Sequence, residues 1–372
     1  AMRLLLLWVT TRLSNAVGAD LSIGMYRRTL YQPYEVHVTR NSSEVISGIT
    51  GKVDGVVFGV LLSVLSLISS VVLLVAITVT LIAIDPFVAF VASGILGISY
   101  GLITWLVRYR LKRNGKRIAR EHPQIVKVLQ EGLGSIRDVL LNGTQSVYCD
   151  IYSKADRPFR RATGNNAFIR GFPRFAMEAL GMSLIAGLAY SLSHKAGGVA
   201  AALPVLGALV LGAQRLLPAL QQSYNSWAMI ISNQASLADI IGLLDQPLPA
   251  ELIQAKRAPA RLTFQKTIQF EQVRFRYSSD GPWVLDGVNF TISKGARVGF
   301  VGSTGSGKST TLDLLMGLLQ PTEGKFLVDG QSISGDRVRA WQQTIGHVPQ
   351  NIYLTDSSLA ENITFGVPPE AI

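Results

Sequence analysis

The sequence predicts a chain of two parts, an all-α transmembrane helical domain over residues 1–244 and the beginning of an α/β P-loop domain over 267–372. Three observations predict this. Long runs without a charged residue recur before residue 231. Beyond a proline-bearing linker at 245–266, with Pro247, Pro249 and Pro259, the pattern changes to short β-type runs alternating with helical ones. A complete phosphate-loop motif, Gly302-Ser303-Thr304-Gly305-Ser306-Gly307-Lys308-Ser309, falls between an apolar run and a helical run.

Composition agrees with the first part. Hydrophobic residues make up 48% and charged residues 16%, against about 25% charged in ordinary soluble domains. The net charge of +11 suits either a nucleic-acid surface or the inner flank of membrane helices. Arg108, Arg110, Lys112, Arg113, Lys116, Arg117 and Arg120 follow directly on an apolar run, which assigns the charge to membrane topology and excludes nucleic acid as partner. Cys149 is the single cysteine, so an intrachain disulfide and a cysteine metal site are both excluded.

Taken in order, Leu4 to Val9 is apolar but too short for a signal peptide with a cleavage site, and reads as the tail of a membrane helix. Val56 to Ile84 and Phe87 to Val107 carry no charge, and each exceeds the roughly 20 residues a bilayer span needs. Asp85-Pro86 turns between them on the outer side, and the basic cluster lies on the cytoplasmic side. Ile125, Val128, Leu129, Leu133, Ile136, Val139 and Leu140 recur at helical spacing, predicting helices that continue out of the membrane with a turn near Asn142-Gly143. Residues 175–192 and 200–231 are two further spans, joined by a polar turn from His194 to Gly198. In the second part, Thr267 to Tyr277, Val288 to Ile292, Arg297 to Val301, Lys325 to Val328 and Ile345 to Val348 are the predicted strands.

The phosphate loop needs its glycines so that backbone N–H groups can converge on one anion. The helix that follows, Thr310 to Leu319, adds partial positive charge at its start. Lys308 is the candidate for the β- and γ-phosphates and Ser309 for Mg²⁺.

Flanking residues narrow the class. Phe275-Arg276-Tyr277 and Val284-Leu285-Asp286-Gly287-Val288 precede the loop. Gly317 to Gly324, Val328-Asp329-Gly330, Ile345-Gly346-His347-Val348-Pro349-Gln350 and Leu359-Ala360-Glu361-Asn362-Ile363 follow it. Together, over 267–372, they resemble the nucleotide-binding domain of exporter-type ABC transporters. The membrane part resembles the same exporters more loosely. The resemblance implies ATP and Mg²⁺ as cofactors, with Gly302 to Thr310 around the phosphates, Tyr277 stacking on adenine, and Gln350 beside Ser309 at the metal. It implies a half-transporter working as a dimer in a membrane, with a bacterial inner membrane as its home. Pro33 to Arg40 and Asn142 to Tyr152 are the implied coupling helices. The family's first membrane helix, signature motif, Walker B aspartate and catalytic glutamate are not in the sequence, so no catalytic residue is assigned, and the expectation is that the 372-residue chain alone hydrolyses ATP weakly or not at all.

Arg215 is the most informative membrane residue. A charge at that depth faces a cavity or a partner: it either meets an anionic group of the substrate on the translocation path, or snorkels or pairs with a carboxylate such as Glu178. Arg170 and Arg174 are weaker candidates near the interface. Arg40 to Ile46 and Gln214 to Pro218 resemble the branch that flips lipid-linked oligosaccharides, implying a polyprenyl-diphosphate glycan. A drug, lipid or peptide exporter, or a non-transporting regulator of the same family, are the alternatives.

Overall fold

The computed structural model describes residues 2–84, 86–193, 198–247, 262–350, 352, 354–364, 366–367 and 370. The expected turns at Asp85-Pro86 and His194 to Gly198 fall largely outside these residues, as does most of the linker. The chain forms two compact units. One comprises residues 1–32 and 39–248, and the other residues 33–38 and 249–372.

The first unit is helical throughout. Helix α1 is Met2–Leu30. The short α2, Tyr34–Thr39, begins in the segment that groups with the second unit. Helix α3 starts at Ser42–Ser47 and runs on to Leu62–Ile84, with two five-residue π-helical stretches, Gly48–Lys52 and Val57–Leu61, on the way. Next come α4, Pro86–Gly134, the short α5, Ile136–Leu141, α6, Gln145–Ser193, and α7, Gly198–Leu244. Pro123, Pro158 and Pro173 sit inside these long helices without ending them. Among the described residues, Ser42–Ala83 and Leu216–Leu244 are long and apolar enough to cross a membrane.

Among the described residues, two apolar clusters hold this unit together. Leu96, Tyr100, Val107 and Leu111 of α4 pack with Ile169 and Met177 of α6 and with Leu216, Tyr224 and Ala228 of α7. Met25 of α1, Val53, Val56, Val57 and Val60 of α3, and Ile240 and Leu243 of α7 form the other. The helical spacing at 125–140 does produce helix, but only Ile125 and Val139 of that stripe are buried, while Leu129, Leu133 and Leu140 stay exposed.

The predicted turn is where expected, but the second short helix is not. The six-residue helix is Ile136–Leu141, before the turn, and Gln145 already opens α6. Gly143, at φ +63°, supplies the left-handed residue that ends α5, so the polar Asn142-Gly143 pair closes one helix rather than opening another.

The second unit carries a four-stranded antiparallel sheet in the order β2-β1-β3-β4. Its strands are β1 Thr267–Phe275, β2 Leu285–Ser293, β3 Glu323–Val328 and β4 Gln331–Ser332. Among the described residues this unit also carries helices α8 Lys308–Leu315, α9 Asp336–Gln342 and α10 Leu359–Ile363. Phe270, Val273, Phe275, Leu314, Leu319, Phe326 and Trp341 form the core between sheet and helices. The segments 297–301 and 345–348, expected as strands, take no ladder hydrogen bonds. A strand is defined by its partner, and neither has one among the described residues. Val301 and Val348 are accordingly 94% and 88% exposed.

Candidate functional site

The phosphate loop sits where its local chemistry requires. Gly307 caps the start of α8 in the left-handed conformation, at φ +84°. A Cβ there would come within 2.6 Å of Leu285 Cδ2 and 3.1 Å of the Val284 carbonyl, so only glycine lets the loop close against β2. Helix α8 is held at its far end: Leu314 is fully buried, and Trp341 Nε1 and Gln342 Nε2 donate to the Leu315 and Gly317 carbonyls at 2.7 and 3.0 Å. These bonds satisfy carbonyls that the helix end leaves without partners. The loop is thus anchored through its helix to the core.

Lys308 Nζ folds over the loop, donating to the Gly302 and Ser303 carbonyls at 2.9 and 2.7 Å and reaching Ser306 Oγ at 3.4 Å. Ser303, Thr304, Gly305 and Ser306 are exposed, as is Ser309 in the first helical turn, whereas Thr310 is buried. A cation above a curled backbone, at the start of a helix, fits a multiply charged phosphate group.

Tyr277 leaves β1 toward this loop. Its Oη lies 3.2 Å from Thr310 Oγ1, its ring meets the Phe275 ring in a T-shaped contact at 4.9 Å, and the residue stays 38% exposed. Gln350 is exposed, and no described contact joins it to Ser309. Sequence reasoning missed two neighbours. Burial raises the Asp313 carboxyl above the ordinary range, with His347 pulling the other way. Burial, then the charges of Asp313 and Tyr277, raise the Tyr34 phenol. Tyr34 lies in the segment that the resemblance implied as the first coupling helix, and that segment groups with this unit.

A second site lies inside the helical unit. A cavity of about 520 Å³ between α4, α6 and α7 is lined by Tyr100, Arg170, Arg174, Gln221, Gln222 and Asn225, among others. Arg170 is partly buried. It donates to the Asn166 carbonyl at 3.3 Å and touches Met229 Sδ, with no carboxylate partner among the described residues. Tyr100 Oη is buried with no hydrogen-bond partner among the described residues. Arg174 pairs with Glu178 at 2.9 Å, so the carboxylate weighed as a partner for Arg215 is engaged by another arginine. The Arg215 side chain lies outside the described residues, although its backbone is within α7. Sequence reasoning missed Gln221, Gln222 and Asn225 of α7; their recurrence at helical spacing just past Pro218 is the signal that could have found them.

Comparison with known proteins settles the class. Residues 2–198, just over half of the chain, match the ABC transporter transmembrane region, and residues 285–370 match the ABC transporter ATP-binding family. The chain belongs to the ABC transporters. This ABC transporter is 26% identical to an ATP-dependent lipid A-core flippase of Burkholderia pseudomallei over 96% of its own length and 59% of that protein's. It is 26% identical to a protein of the same name from Chromohalobacter salexigens, covering 72% of the chain and 46% of the relative. The chain therefore spans about half the length of the curated relatives it matches. The solved structure of a bacterial Atm1-family ABC exporter with ATP bound superposes with a TM-score of 0.73 at 23% identity, covering 96% of this chain and 62% of that one. That likeness shows the fold: a helical membrane region fused to an ATP-binding cassette.

Proposed function

We propose that this ABC transporter serves as one half of a dimer that uses ATP binding and hydrolysis to flip or export an anionic, lipid-linked amphiphile. The observation that carries the reading is the fusion, in one chain, of the phosphate loop with a helical membrane region holding an arginine-lined cavity. Relatives named lipid A-core flippases, aligned over nearly the whole chain, support a lipid-linked cargo.

In this reading the residues divide the work. Gly302 to Thr310 take the phosphates, and Lys308 exchanges its carbonyl contacts for charged oxygens, which form the stronger bonds. Tyr277, part-exposed at the end of β1, offers its ring to adenine. Ser309, exposed in the first turn of α8, and Gln350 are the Mg²⁺ ligands, a hard cation's oxygen donors. Bound Mg-ATP supplies the free energy of closure and phosphoryl transfer, which is mostly positioning and charge stabilisation. Arg170 and Arg174 on the cavity wall, with Arg215 on α7, meet the anionic headgroup. The partner is a second copy, and the home is a bacterial inner membrane with the cassette on the cytoplasmic side.

The test is reconstitution of the full-length protein in proteoliposomes with two fluorescent lipids alike except for a diphosphate-glycan or a neutral headgroup. ATP-dependent movement of the anionic lipid alone is expected, abolished by Arg215→Ala with basal ATPase retained. Equal movement of both lipids, or flipping unchanged by Arg215→Ala, would instead support a drug or peptide exporter of the same fold.

A further inference from the structure

Helix α4 passes from an apolar, aromatic face directly into a basic one. Leu102, Trp105, Leu106 and Tyr109 are 55%, 74%, 58% and 74% exposed. On the adjoining turns Arg108, Arg110, Lys112, Arg113, Lys116 and Arg117 are all exposed, and none is ion-paired among the described residues. Arg120 alone of the cluster has a carboxylate, donating to Glu121 Oε1 at 2.8 Å. At 3.6 residues per turn the cluster spans an arc of roughly 200°. The opposite side is filled by Leu111, Asn114 and Gly115, all buried.

The register with α6 fixes the level of this arc. Asn114 Nδ2 donates to Asn166 Oδ1 at 2.9 Å, in a buried bond between the two arms of the α4–α6 hairpin. Counting nine residues back from Asn114 reaches Trp105, and nine forward from Asn166 reaches Phe175, itself 70% exposed. Both helices thus present a large aromatic ring at one level, as expected where lipid headgroups meet water. Along the axis, Arg110, Lys112 and Arg113 lie within about 6 Å of Tyr109. That is inside the Debye length of about 8–10 Å at ordinary salt.

We infer that this arc is a docking surface for the anionic phospholipid headgroups of the leaflet on the basic side, holding α4 at a fixed depth. The occupant follows from charge and continuity. The arc needs negative charge, and a second copy of this chain brings a net +11. The exposed aromatic face runs into it from the bilayer without a break. The inference rests on the membrane-spanning assignment and is independent of the cargo.

Trp105 is a built-in reporter. The full-length protein is placed in phosphatidylcholine nanodiscs doped, at equal mole fraction, with brominated phosphatidylglycerol or brominated phosphatidylcholine. The Trp105 contribution is isolated by difference from Trp105→Phe. Brominated phosphatidylglycerol is expected to quench Trp105 in excess of the zwitterionic lipid. The local enrichment behind that excess should fall roughly fivefold for each cation removed in an Arg110→Gln, Lys112→Gln, Arg113→Gln variant. It should survive in Arg110→Lys, Lys112→Arg, Arg113→Lys, and shrink at high salt. Retained quenching by brominated phosphatidylcholine reports that each variant is still inserted. Equal quenching by the two lipids overturns the inference, as does an excess that persists in the neutralised variant. So does inorganic phosphate abolishing the excess at matched ionic strength, which would mark a free-anion site. Trp105 quenched by neither lipid would mean that a second copy covers this face.

Discussion

Tyr277 Oη and Thr310 Oγ1 lie 3.2 Å apart, tying the end of β1 to the first turn of the phosphate-loop helix. The same tyrosine that would stack on a nucleotide base is therefore set in place by a residue of the loop that would hold its phosphates. Stacking and anchoring can be separated. Tyr277→Ala removes the ring and should weaken ATP binding by about 1–3 kcal/mol, the range for base–aromatic stacking. Tyr277→Phe keeps the ring and loses one neutral hydrogen bond, about 1 kcal/mol or less. Titration of the full-length protein with a fluorescent ATP analogue checks the order; equal losses in the two variants would rule out stacking.

Lys308 gives a second separation. Its contacts with the Gly302 and Ser303 carbonyls show that the ammonium already sits over the loop, ready for an anion. Lys308→Met should lower affinity for ATP by about 1.5–3 kcal/mol, the worth of a charged hydrogen bond, and leave AMP binding nearly unchanged. Comparing ATP with AMP by calorimetry tests this, since a general collapse of the loop would weaken both.

His122 predicts an acid-sensitive packing contact outside the membrane. Its ring lies 5.7 Å from Phe159 and so close to Gly51 that a Cβ there would come 2.5 Å from Cε1. Burial, then the charge of Lys52, lowers its pKa below the ordinary 6.5. The folded state thus favours neutral His122. Its contribution is complete above the ordinary value and is lost as pH falls from there through the lower folded value, because the unfolded chain takes up the proton first. The melting temperature of the full-length protein should drop as pH falls below about 6.5, where the unfolded histidine begins to take up its proton, and His122→Gln should flatten that slope. An unchanged slope would remove His122 as its source.

Arg170 offers a test of the cavity that does not depend on transport. Without a carboxylate partner among the described residues, it is a cation available to an anionic headgroup. Arg170→Gln should weaken binding of an anionic amphiphile by about 1.5–3 kcal/mol, and Arg170→Lys should restore only part because it lacks the planar fork. Native mass spectrometry on the detergent-purified protein reads this directly. A neutral analogue of the same lipid should bind all three alike.

What the sequence made legible is what short-range physics encodes. The phosphate loop, with Gly307 where only glycine fits, was readable to the residue because backbone conformation and ligand chemistry demand those residue types at that spacing. Strands β1, β2 and β3 were readable because each pairs with another of the three. The segments 297–301 and 345–348 have the same β-type composition, yet the ladder partner that would make them strands is a non-local property. The long helices were legible from hydropathy, while the cavity around Arg170 was not. Tyr100, Arg170 and Gln221 converge from three helices, and only packing brings them together. The segment holding Tyr34 was marked by resemblance as a coupling helix, but the neighbourhood of its phenol with Asp313 and Tyr277, more than 200 residues along the chain, was not legible.

The amide pair Asn114 and Asn166 has a mechanical consequence. A buried polar bond between two otherwise apolar helix faces cannot be broken by a small slide without stranding both groups away from water, a penalty of about 1–3 kcal/mol for each. The two arms are latched, so α4 and α6 should swing as a single stiff lever. Any sliding between them would come in steps of a whole turn, about 5.4 Å.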